Sequence, residues 1–190
     1  LTAPLCSFAQ SARISRIGFL GASTAASFTS RVEALRTGLR ELGYVEGKNI
    51  AIEFRWADGK YERLPVLAAE LVDLKVDVIV AATTPGTSAA QKATTTIPIV
   101  MANVADPVGS GFVKSLARPG GNITGFSNIS RDVSPKQIEM LLSMKPKLSR
   151  VAVLLNPGNV SHVVTLKDIQ VAAQRVAIQI VPVEARTPEE

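Results

Sequence analysis

Short apolar runs and helical stripes alternate along this chain. Residues 14–20, apolar apart from Ser15 and Arg16, form a short run closed by Gly21, which predicts a first strand. Ser30-Arg31-Val32-Glu33 places a hydroxyl three residues before a carboxylate, a capping box. Val32, Leu35, Leu39 and Leu42 then recur at helical spacing until Gly43 stops the helix. Ile50, Ile52, Phe54 and Trp56 alternate with Ala51, Glu53 and Arg55, a second strand with one more polar face. Residues 64–74 carry Leu67, Leu71 and Leu74 on one helical stripe. Residues 77–82 predict a strand that is continuously apolar after Asp77, as expected when both sheet faces are covered. Residues 85–93 predict a helix of small residues, 97–102 a fourth strand, 108–117 a helix with Val108, Phe112 and Leu116, and 122–126 a fifth strand.

The pattern changes after Phe126. Residues 127–133 (SNISRDV) are polar and unpatterned and read as a hinge or linker. Ser134-Pro135 opens a new helix, with Gln137 completing the cap pair. Residues 150–155 predict a strand, 162–177 a helix and 179–183 another strand. Two strands and two helices are too few for a covered parallel sheet, so this half is expected to be a lobe only begun. The organisation expected is 1–13 as the remnant of an export signal, 14–126 as a first α/β lobe, 127–133 as the hinge, and 134–190 as an incomplete second α/β lobe. The fold class is α/β, a doubly wound, Rossmann-like parallel sheet.

The chain has 190 residues, 46% hydrophobic and 19% charged, an ordinary globular composition. No apolar run reaches the roughly 18 residues of a membrane helix. The formal charge is +5, but basic residues are scattered among acids without interleaved aromatics, which argues against nucleic acid as a partner. Cys6 is the single cysteine, so no internal disulfide forms. The stretch before Arg13 lacks acids and contains Ser7-Phe8-Ala9, a small-x-small pattern of the signal-peptidase type. It reads either as the end of an export signal or as a frayed terminus.

If the strands order 2-1-3-4-5, a crevice opens beside strand one, at the carboxyl ends of the strands, where such sheets bind ligands. Three loops converge there. The strand-three loop sets Thr83, Thr84, Thr87 and Ser88 around Gly86 at a helix start. Free N–H groups and the helix dipole favour an anion at such a place. The loop holds no Lys or Arg, which suits a single carboxylate better than a polyphosphate. Thr84 and Thr87 either contact ligand or cap the helix. Ser23 and Thr24 follow strand one and read as ligand contacts or as a flexible loop. Asn103 follows strand four as a hydrogen-bonding candidate. Asp106, before Pro107, either pairs with an ammonium or caps a helix. Asn156 and Asn159 flank Pro157-Gly158 after the first strand of the second half and would face the crevice from the other jaw, or form an ordinary turn. Trp56 and Tyr61 are possible stacking groups, with Trp56 favoured for packing. His162, the single histidine, has no evident partner and reads as structural.

Catalytic signals are sparse. Gly18-Phe19-Leu20-Gly21 is not a dinucleotide fingerprint, and neither a nucleophile elbow nor a phosphate-binding G-x-x-x-x-G-K is present. One histidine and one cysteine cannot build a His- or Cys-rich metal site. No cofactor, metal or catalytic residue is therefore expected.

Several stretches together resemble a known family. Ile97–Gly125 reads IPIVMANVADPVGSGFVKSLARPGGNITG, pairing an Asp-Pro turn with an Arg-Pro-Gly-Gly-Asn turn. RIGFLG, the stretch LGYVEGKNIAIEFRWADGKYERLPVLAAELVDLKVDVIVA, and RVAVLLNPGN agree with it. From about Arg16 onward the chain resembles substrate-binding proteins of ABC importers, in the family related to tryptophan- and tyrosine-binding proteins. The resemblance implies a type I periplasmic binding fold that closes by hinge motion on a small molecule, with an amino acid as the expected solute. It also implies ABC permease subunits as partners and a periplasmic or other extracytoplasmic location. Two alternatives stay open: a sensory ligand-binding module of the same fold, and an enzyme on a doubly wound sheet.

Overall fold

The structure is a computed structural model and describes residues 14–186 and Glu190. The export-signal reading, including Cys6, falls outside the described residues. Along the chain come β1 (Ser15–Gly21), α1 (Ala25–Glu41), β2 (Ile50–Trp56), a 3₁₀ turn at Tyr61–Arg63, α2 (Leu64–Asp73), β3 (Val78–Ala82), α3 (Thr84–Ala93), β4 (Ile99–Ala105), β5 (Ile123–Asn128), α4 (Ser130–Met144), β6 (Arg150–Leu155), α5 (Val160–Gln174) and β7 (Gln179–Glu184). The first five strands form a parallel sheet in the order β2-β1-β3-β4-β5, and β6 pairs with β7 in a second parallel sheet. The chain reverses direction of travel across the sheet beside β1, which sets the carboxyl ends of β1 and β3 next to one another.

Period-two alternation sends consecutive apolar residues to opposite faces. Leu20, Ile79, Ala81, Ile99 and Met101 pack beneath Leu64, Leu67 and Leu71 of α2 and Ala89 and Ala90 of α3. Ile17, Phe19, Val80 and Ala82 face the other way, onto Phe28 and Val32 of α1. This double burial explains why β1 from Ile17 onward and β3 throughout read as apolar runs. Leu71 lies directly over Gly18, where any Cβ would meet its methyl groups. Trp56 belongs to this packing. It stacks on Phe54 at 5.7 Å and contacts Phe19 and Phe28 at 5.2 and 5.5 Å. In the second unit, Ile138 of α4, Ile169 and Ala173 of α5, and Ile178 form a separate small core.

Four readings from the sequence are corrected. Helix α1 starts at Ala25, capped by Thr24, whose Oγ1 accepts from the Ser27 N–H at 3.4 Å. Phe28 and Val32 are both buried one helical turn apart, so one continuous helix must run through Ser30. Glu33 pairs instead with Arg36 at 2.8 Å. The helix expected over 108–117 does not form. Gly109 and Gly111 weaken it, and the segment runs as successive turns, with Ser110 N–H donating to Asp106 O and Phe112 N–H to Pro107 O, both at 2.9 Å. Phe112 and Val113 are buried all the same. The seven-residue linker shrinks to Ile129, because β5 continues to Asn128 and α4 begins at Ser130. Pro135 consequently lies inside α4 rather than at its start.

Candidate functional site

The carboxyl ends of β3, β4 and β5 open onto a cleft of about 520 Å³ between the two sheet units. One wall carries Tyr61, Thr83, Thr84, Asn103 and Asn128. The other carries Ser130, Ser134 and Gln137 of α4, Val153, Leu154 and Leu155 of β6, and Asn159, Ser161, His162 and Thr165 at the start of α5. Hydroxyls, amides and aliphatic side chains line it, with no Asp, Glu, Lys or Arg among them. Its volume falls within the range of small-molecule sites, about 300–1,000 Å³.

Among the described residues, three of the six non-glycine positions with positive φ lie at the cleft or the cavity beside it; Asp58, Lys75 and Ala177 lie elsewhere. Thr83 (φ 82°), Asn103 (φ 61°) and Asp106 (φ 46°) all adopt left-handed backbone without being glycine. Such conformations persist only where the surroundings over-determine them, and they gather at binding sites. Thr83 precedes α3, yet no side chain caps that helix. The Thr83 Oγ1 is buried and has no hydrogen-bond partner. An unpaired hydroxyl therefore lies beside uncapped N–H groups whose dipole favours negative charge. Asn103 sits at a bulge between Met101 and Val104 and accepts from Asn128 Nδ2 at 2.9 Å, tying β4 to the end of β5. Gly125 (φ 134°) lies opposite that bulge, where a Cβ would run into the Met101 backbone.

His162 is exposed at the cleft but partly desolvated, which lowers its pKa below the usual 6.5. Its Nδ1 accepts the Asn156 N–H at 3.2 Å, which requires that nitrogen to be unprotonated. Desolvation raises the Tyr61 pKa, so its phenol stays protonated at neutral pH. A smaller cavity of about 280 Å³ adjoins the cleft, sharing Ala105, Ser161 and Thr165 with it. Ser88, Asp106 and Arg131 line this second space.

The sequence profile of the ABC transporter substrate binding protein family matches residues 23–190. The chain belongs to this family. A tyrosine-binding protein of Clostridioides difficile is 35% identical over 144 residues, covering 75% of this chain and 41% of that protein. A conserved domain protein of Vibrio cholerae superposes with a TM-score of 0.82 at 30% identity, covering 92% of this chain and 58% of that one. A Streptococcus pneumonia structure solved in complex with L-Trp superposes with a TM-score of 0.79 at 24% identity, covering 93% and 59%. This member of the ABC transporter substrate binding protein family thus spans 41% of the length of the curated relative and about 60% of the two solved chains. The expected α/β architecture with strand order 2-1-3-4-5 is the one observed.

Four of the ten residues singled out from the sequence share the main cleft: Thr83, Thr84, Asn103 and Asn159. Ser88 and Asp106 line the adjoining cavity. The remaining four have local roles or lie elsewhere. Thr87 is fully buried, its hydroxyl donating to Thr83 O at 3.0 Å. Thr24 caps α1, and Ser23 beside it is half-buried outside the cleft lining. Asn156 shapes its own turn, accepting from Gly158 N–H at 2.8 Å and donating to Arg186 O at 3.1 Å. Asn159 also caps α5, accepting from Ser161 N–H at 3.1 Å. Ser130, Ser134, Gln137, Ser161 and Thr165 escaped the sequence reading because small polar residues on an amphipathic helix look like ordinary solvent-facing positions. His162 has the structural contact its lone occurrence predicts, accepting the Asn156 N–H, and it lines the cleft as well. No periodic signal distinguishes such residues; the only trace was their clustering in the first turns of two helices.

Proposed function

We propose that this protein is the extracytoplasmic solute-binding component of an ABC importer, and that it captures a small carboxylate, an amino acid or close relative, in the cleft between the two sheet units. The buried, unpartnered Thr83 hydroxyl at the uncapped start of α3 carries this reading. A carboxylate would satisfy that hydroxyl and the helix N–H groups together, and a charge-assisted hydrogen bond is stronger than a neutral one. The uncharged lining supplies further partners without a competing anion, and Tyr61 with Val153, Leu154 and Leu155 provides apolar surface for a side chain. The aromatic amino acids associated with two of the relatives make tryptophan and tyrosine the first candidates. None of these groups forms a nucleophile–base pair, so the ligand is expected to leave unchanged.

The test is thermal unfolding of the full-length protein against tryptophan, tyrosine, branched amino acids, and aromatic acids that lack an ammonium group. A ligand at a hundred times its dissociation constant adds about 2.7 kcal/mol to the folded state. Stabilisation confined to carboxylates, with the ligand recovered intact, supports the reading. Equal stabilisation by the corresponding carboxamides would overturn the anion assignment. Ligand uptake into vesicles carrying the permease, dependent on this protein, then separates import from sensing.

A further inference from the structure

The geometry points to Arg131 as a latch that holds the two sheet units together, clamping Asp106 of one unit to Asp168 of the other. This inference rests on the cleft's being the binding site, but its decisive measurement does not.

The three residues come from different parts of the chain. Asp106 directly follows β4 of the five-stranded unit, Arg131 lies in the first turn of α4, and Asp168 sits mid-way along α5. The Arg131 Nη1 donates to Asp106 Oδ2, and its Nε donates to Asp168 Oδ2 at 2.7 Å. One guanidinium therefore bridges carboxylates on both sides of Ile129, the single residue between β5 and α4. Its rigid fork suits that task better than a lysine ammonium would.

Each part is built to stay in place. Asp106 holds a left-handed backbone (φ 46°) and uses its other oxygen to accept the Gly109 N–H at 2.8 Å. Gly109 is needed there, because a Cβ would strike the Asp106 carboxylate. Both oxygens of Asp106 are thus engaged, which leaves little for a ligand ammonium. Arg131 occupies a position where the helix dipole disfavours a cation, and the two carboxylates offset that. All three side chains are partly shielded, between 23% and 36% exposed, so solvent screens the pairs less than at an open surface. Arg131 lines the adjoining cavity rather than the main cleft. It therefore acts on binding through lobe position, as a positioning residue, and not by touching ligand.

The experiment uses the full-length protein with Cys6→Ser and one spin label on each unit, at Lys92→Cys and Lys147→Cys, both exposed. Interlobe distances are measured first without any ligand. Arg131→Gln should reduce the short-distance population about three- to fivefold, the scale of one surface-proximal ion pair. Arg131→Lys should restore part of it. Raising NaCl from low to molar concentration should shift the parent protein toward the Arg131→Gln distribution and leave that variant unmoved. Bound tryptophan or tyrosine should dissociate about three- to fivefold faster from the variant, with an unchanged association rate. Urea midpoints identify any variant that simply unfolds, and Arg131→Lys then carries the comparison. Identical distance distributions for parent and Arg131→Gln, or no response of the parent to salt, would overturn the latch. Absence of amino-acid binding by the parent would instead sink the functional reading and leave the distance result standing.

Discussion

Replacing Thr83 by glycine should stabilise the unliganded protein and weaken its binding. Thr83 sits at φ 82°, ψ 162°, a region occupied almost only by glycine, and holding another residue there costs about 1–3 kcal/mol. Its buried, unpaired hydroxyl costs about 1–3 kcal/mol more. Two losses oppose these gains. Glycine carries extra unfolded-chain entropy, about 0.5–1 kcal/mol, and the threonine methyl gives up packing worth about 0.8 kcal/mol. The balance favours the variant by about 2 kcal/mol, which for a domain of this size raises Tm by about 4–8 °C. Thr83→Val separates the two contributions, because it keeps the branched shape and the strain but removes the hydroxyl. It should gain about 1 kcal/mol and lose affinity comparably. Urea midpoints at constant m-value, measured without ligand, report stability, and calorimetric titration reports binding. A midpoint lowered by Thr83→Gly would show that the backbone is not strained. Unchanged affinity in both variants would show that the hydroxyl does not meet the ligand.

Two further expectations follow from the structure. Leu71 is fully buried over Gly18, so Leu71→Ala should cost about 3 kcal/mol and lower the urea midpoint without altering ligand stoichiometry; a loss below about 1 kcal/mol would mean that the site collapses around the gap. His162 is held neutral in the folded state by desolvation and by accepting the Asn156 N–H. The unfolded chain therefore binds the extra proton first as pH falls. The contribution is fully present above about 6.5 and drains away as pH drops from there toward the lowered folded value. His162→Asn should flatten that part of the stability-versus-pH curve, and parallel curves for the two proteins would refute the assignment.

Much of the scaffold was legible because each strand obeys a local rule. β3 and the Ile17–Leu20 part of β1 read as apolar runs, and β2 reads as an alternating one, so their strand character needed no tertiary information. The strand-three loop stood out for the same reason: hydroxyls around a glycine at a helix start have a chemistry that can be named from sequence. Errors arose where local signals competed with packing. Ser30 and Glu33 form a plausible capping box, but burial of Phe28 together with Val32 carries α1 through them. Val108, Phe112 and Leu116 have helical spacing, but Gly109 and Gly111 and the turn at Asp106 break it. The polar stretch after Phe126 carried no pattern, and only pairing with β4 extended β5 to Asn128.

Local sequence pattern accounts for the alternation of strands and helices, the two-sided burial of the central strands, and the concentration of small polar residues after β3. Each depends on neighbours within a few positions, where periodicity and capping chemistry act. The tertiary structure alone decided which polar residues face one another. Thr83 meets Ser161 and His162 across one cleft, and Arg131 reaches Asp106 and Asp168, although 25 and 37 positions separate it from them. Such meetings follow from strand order and from the angle between the two units, and no local pattern encodes an angle set by packing between distant segments.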